Sequence, residues 1–130
     1  MNTLNSSELE DIAINKYFGN VDKKNLDEVI SLLDHDICIN IVTDHLTHNG
    51  VDEVSNMLSG YFNNYNKLWH GNFRSIVDEE RQSIVLKFDW KIYDKDNTED
   101  SGSNVNVFYF KKNKIYRIWI FMSTQDNPLK

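Results

Sequence analysis

The chain of 130 residues is 40% hydrophobic and 12% aromatic, enough for the core of one domain and too short for two ordinary ones, which argues against disorder outside the termini. Its 14 basic residues are scattered among 20 acidic ones for a net charge of −6, which excludes the basic face that nucleic acid requires, and no run reaches the ~18 apolar residues of a membrane span. The single cysteine, Cys38, excludes an intramolecular disulfide, and the polar opening MNTLNSSELED shows no secretory signal, so a cytoplasmic protein without membrane attachment is expected.

In chain order, Ser7-Glu-Leu-Glu10 matches a capping box and predicts a first helix from Ser7, with Leu9, Ile12, Ala13 and Tyr17 at helical spacing and Gly19 as its stop. Asn25 caps a second helix that puts Leu26, Val29, Ile30 and Leu33 on one face. A strand over 36–42 follows, with Ile37, Ile39 and Ile41 on one side and Asp36, Cys38 and Asn40 on the other. The polar stretch TDHLTHNG reads as a connection. A third helix over 51–65 carries Val51, Val54, Leu58, Tyr61, Phe62 and Tyr65 as one apolar stripe.

From residue 68 the period changes to two. Strands are predicted over 68–78 and over SIVLKFDWKIY, where Ile84, Leu86, Phe88, Trp90 and Ile92 face one way. DKDNTEDSGS reads as a turn-rich connection. NVNVFYF and KIYRIWIFM then form a hairpin through a KKN turn, and the tail STQDNPLK is expected to fray. Helices followed by strands predict an α+β domain over residues 1–130, with its core at about 7–123. The sheet is expected to be mixed or antiparallel and strongly curved, wrapping around three helices as a cone.

The stretch KYFGNVDKKNLDEVISLLDHDICI, the His48-Asn-Gly50 lead into VDEVSNML, and the closing NVFYFKKNKIYRIWIF together resemble the nuclear transport factor 2-like superfamily. That superfamily has a cystatin-like fold and includes ketosteroid isomerases and SnoaL-type polyketide cyclases. The resemblance covers about residues 7–123 and rests on hydrophobic and turn patterns, not on catalytic signatures. In ketosteroid isomerases a helix tyrosine and a strand aspartate donate to an oxyanion; by resemblance these positions fall on Tyr17 and Asn106. The carboxylate base falls on Ile41, beside Asn40, so that isomerase chemistry is expected to be absent. His70 stands near the place where superfamily members carry a pocket histidine and is the candidate replacement base, acting without an aspartate partner.

The implied pocket is lined by Tyr17, Phe88, Trp90, Asn106, Phe108 and Phe110. Asp44, His45 and His48 share one loop with no second cluster to complete a metal site, so no metal and no cofactor is expected. On the last strand Tyr116, Ile118, Ile120 and Met122 alternate with Arg117, Trp119 and Phe121. Both sides are apolar, and the resemblance implies a homodimer through Trp119 and Phe121. Three functions stay open: a binder of a small, mostly apolar molecule, a cofactor-free lyase, isomerase or cyclase using His70, or an interaction module acting as a dimer.

Overall fold

The computed structural model describes residues 3–124 and 127–129. The helical segment opens at Ser6, not Ser7, because Asn5 takes the capping place. Asn5 Oδ1 accepts from the Glu8 N–H at 2.9 Å, and Glu8 Oε1 accepts from the Asn5 N–H at 3.0 Å. Ser6 is engaged elsewhere, its N–H and hydroxyl both donating to Glu79 Oε2. Leu4 is held as well: its N–H donates to Gln82 Oε1 at 2.8 Å and its carbonyl accepts from Gln82 Nε2 at 2.9 Å. Leu4 and Ser6 are thus tied down upstream of the expected core.

The segment continues as α-helix Ser6–Glu10, π-helix Asp11–Phe18 and α-helix Gly19–Asp22. Gly19 does not end it; with φ −58° it sits inside the helix, and the stop falls past Asp22, where Lys24 takes φ +58°. The wider π turns bring two neighbours, Tyr17 and Phe18, into the core together, at 5% and 4% exposure. A short helix, Leu26–Ser31, and a long one, Gly50–Asn64, complete the helical layer. Asn25 holds the cap position of the short helix, but its side chain makes no capping bond. The Lys24 ammonium donates to the Tyr65 and Asn66 carbonyls just beyond the long helix, where carbonyls lack helical partners.

Six strands form one mixed, curved sheet: β1 Leu33–Ile41, β2 Leu46–Asn49, β3 Lys67–Asp78, β4 Ser83–Tyr93, β5 Glu99–Lys111 and β6 Lys114–Met122. Their order is β2-β1-β6-β5-β4-β3, with β1 and β6 parallel and every other pair antiparallel. Lys112 and Asn113, both at positive φ, make the β5–β6 turn, as a two-residue hairpin of matching twist requires. The alternating apolar residues of β4 all fall inside: Ile84, Leu86, Phe88, Trp90 and Ile92 are 3% exposed or less.

Two strand assignments differ from the sequence expectation. The stretch read as a polar connection contains β2, an edge strand pairing Ile39 with His48 and Ile41 with Leu46. The acidic segment Glu99–Ser103, also read as a connection, extends β5, because β4 runs on to Tyr93 and offers the ladder a partner. Gly102 permits this. A Cβ there would lie 2.5 Å from the Trp90 indole, so the ring lies over a bare backbone. A bulge between Tyr109 and Phe110 corrects a third expectation: Ile115, fully buried, takes the inner side, while Tyr116 turns outward to meet Tyr109 at 6.3 Å. A second bulge, between Gly71 and Arg74, interrupts β3 where it bends over the first helix.

Candidate functional site

Between the helical layer and the inner face of the sheet lies a cavity of about 40 Å³, room for roughly three water molecules. Its wall takes Tyr17 and Phe18 from the π-helix, Tyr61 from the long helix, and His70, Phe88 and Trp90 from adjacent strands. Asn104 and Asn106, two residues apart on β5, therefore point the same way, into it. The Asn104 side-chain oxygen accepts from Trp90 Nε1 at 2.9 Å, which fixes both side chains. Asn106 is 3% exposed and its Oδ1 has no hydrogen-bond partner among the described residues. Buried amide groups are rarely left so, and a ligand hydroxyl, able to donate and accept, suits either end of that amide.

His70 stands on the inner face of β3 opposite Trp90, two residues after the buried Leu68. Its ring lies 4.8 Å from Phe18 at a 32° tilt and 5.8 Å from Phe88. Its partner is Asp22: His70 Nδ1–H donates to Asp22 Oδ1 at 2.5 Å, and the His70 backbone N–H donates to Asp22 Oδ2 at 3.0 Å. The pair is largely enclosed, with side-chain exposures of 7% for His70 and 24% for Asp22. In the neutral tautomer with Nδ1 as the donor, Nε2 is the ring nitrogen that can accept. Asp22 stands in the last turn of its helix, the end where the dipole disfavours a negative charge. Its two bonds to His70 explain why it is there.

His70, read from the sequence as a candidate base with no aspartate partner, thus has one in Asp22. The sequence reading gave Asp22 no role, and the usable signal was a carboxylate at the wrong end of a helix. Tyr61 was read only as part of the core stripe. Phe108 and Phe110, expected on the pocket wall, are buried at 0% and 4% but lie off it; Phe108 packs behind Tyr17 at 5.4 Å. Ile41, at the place of the superfamily's base, is fully buried and likewise off the wall. The tail expected to fray places Pro128 and Leu129 on the wall instead. Trp119 and Phe121 lie on the outer face of the sheet, away from the site, with Phe121 41% exposed. Among the described residues no group of three or more His, Cys, Asp or Glu side chains is placed to hold a metal ion, and no helix is long and apolar enough to cross a membrane.

Burial pushes the Tyr17 and Tyr61 hydroxyls far above the usual phenol range, and the nearby Asp22 charge adds to the shift at Tyr61. Both groups keep their protons in the folded state and lose them near pH ~10 once unfolded, so the unfolded form binds fewer protons above that pH. Stability should be unaffected by these groups below pH ~10 and then fall by about 1.4 kcal/mol per pH unit for each tyrosine. Urea melts at pH 9, 10 and 11 test this, and a midpoint independent of pH across that range refutes it.

No family model matches the sequence, and no curated protein does either. Solved structures do match in shape. A protein from Xanthomonas campestris pv. campestris, provisionally described as a polyketide cyclase, superposes with a TM-score of 0.79 at 10% identity, over 88% of this chain and 90% of its own. An LEH-like epoxide hydrolase from M. tuberculosis gives 0.76 at 12% identity, over 90% and 84%. An NTF2-like protein of unknown function from Exiguobacterium gives 0.73 at 14% identity, over 86% and 98%. At these identities the likeness establishes the fold, nuclear transport factor 2-like and shared by the SnoaL-like cyclases, and leaves the reaction to be argued from the site.

Proposed function

We propose that the cavity binds a small, mostly apolar molecule carrying one carbonyl or hydroxyl group, and that the Asp22–His70 pair moves a proton on it without a cofactor. The observation that carries this reading is the imidazole whose Nδ1 is fixed by a carboxylate at 2.5 Å on the wall of an otherwise greasy cavity. For a ketone, His70 Nε2 takes a proton from the carbon next to the carbonyl. The C–H electron pair becomes the enolate double bond, and the Tyr17 hydroxyl and the Asn106 amide donate to the enolate oxygen. Reprotonation by the imidazolium at the same or a conjugated carbon completes an exchange or an isomerisation. Tyr17 suits the donor role because burial keeps its proton on.

The test is α-proton exchange of 2-tetralone, an apolar bicycle with one carbonyl, followed in D2O by NMR. The protein should accelerate exchange beyond buffer alone. No acceleration at substrate concentrations that saturate binding reduces the site to a binding pocket.

Assembly is a separate proposal. The register places Ile76, Val85, Val107 and Trp119 in one row across the outer face of the sheet, with Phe121 beside it, and Ile76 is 73% exposed. Such a row is apolar and incompletely buried, and a second copy packed through Trp119 and Phe121 would bury it. Sedimentation equilibrium should give a dimer that Phe121→Lys dissociates; a monomer at tens of micromolar contradicts it.

A further inference from the structure

We propose that the C-terminal residues Asn127–Leu129 are a removable plug, with Leu129 occupying the subsite that takes the apolar part of the ligand. This rests on the cavity being the ligand site. The cavity as it stands, about 40 Å³, is roughly tenfold smaller than the ~300–1,000 Å³ pockets that hold drug-sized ligands. Something must move before a molecule enters. Of the wall residues, those from Tyr17 through Met122 sit on helices or strands and are held by helical bonds or the sheet ladder. Pro128 and Leu129 belong to neither.

The tail is held by apolar packing, with Leu129 partly buried against the core. The Leu129 N–H donates to Asn127 Oδ1 at 2.8 Å, a bond internal to the tail that adds nothing to docking. Asn127 is 9% exposed with its Nδ2 unpartnered among the described residues, so docking leaves a buried donor unpaired that water would satisfy in the open form. Among the described residues no hydrogen bond ties Asn127–Leu129 to the body of the protein, and Leu129 lines the same cavity as Tyr17, His70 and Asn106. A ligand with a branched aliphatic or aromatic body replaces the leucine, while its polar group meets those side chains.

The probe is 2-naphthol, an apolar bicycle with a single hydroxyl, followed by its own fluorescence. A closed plug lowers apparent affinity by the fraction of molecules that are open. A chain ending at residue 126 should bind at least about fivefold more tightly than the intact chain, and Leu129→Asn should fall between them. In the intact chain, saturating 2-naphthol should speed amide exchange at Asn127 and Leu129. If the shortened chain does not fold, Leu129→Asn and the exchange measurement decide. Equal affinity in all forms, or exchange that naphthol leaves unchanged, overturns the plug and leaves the ligand site standing. Absence of binding to any form overturns both.

Discussion

His70→Ala is expected to lower the rate of α-proton exchange by about 10²–10⁴-fold, the span that a positioned general base commonly supplies. The more informative result comes from its partner. In Asp22→Asn the amide oxygen can still accept from the His70 backbone N–H, but its NH₂ group then faces Nδ1. That forces the ring proton onto Nε2 and removes the acceptor there. Asp22→Ala instead leaves the ring free to adopt either tautomer, so part of the population keeps an acceptor at Nε2. The expected order of rates is wild type, then Asp22→Ala, then Asp22→Asn level with His70→Ala. A structural pair would give the reverse for Asp22, since Asn preserves packing better than Ala. Exchange rates at matched stability decide, and Asp22→Asn more active than Asp22→Ala defeats the proton-transfer reading.

The frame of the protein was legible because its elements obey simple periods. Ile37, Ile39 and Ile41 on β1, and Ile84 through Ile92 on β4, alternate over lengths that only a half-buried strand explains, and each is in the core. Elements lacking such a signal went unread. The β5 extension over Glu99–Ser103 is polar and exists because β4 continues opposite it, a tertiary cause invisible in its own residues. Tyr116 was placed on the wrong side because one bulge residue inverts the alternation, and nothing local in KIYRIWIFM announces it.

The site was legible only where one residue type suffices. His70, Tyr17, Trp90 and Asn106 share the cavity wall, but the pairing that fixes the His70 ring joins positions 48 residues apart. A sequence without its contact map offers no way to choose Asp22 among 20 acidic residues. The tail failed for a different reason. Pro128 beside polar residues carries the signature of a loose end, and a single leucine at a loose end gives no period to read.

Phe88→Ala should cause a large loss of stability, about 3–5 kcal/mol, the usual range for deleting a fully buried phenyl ring. Phe88 is 1% exposed and packs on Phe18 at 4.7 Å and Phe73 at 5.6 Å, so the void has rigid neighbours and closes poorly. For 130 residues at about 2.1 cal/mol/K each, that loss lowers the melting temperature by roughly 11–18 °C. Phe110→Ala is the control: Phe110 is 4% exposed but lies off the cavity wall, so it should cost a comparable amount. The two variants should part company in function. Phe88 lies 5.8 Å from the His70 ring and helps hold it, so its removal should slow α-proton exchange well beyond any loss of folded protein. Phe110→Ala, measured where it is fully folded, should exchange at the wild-type rate. Equal exchange rates in the two variants would show that the stacked aromatics around His70 serve the core alone.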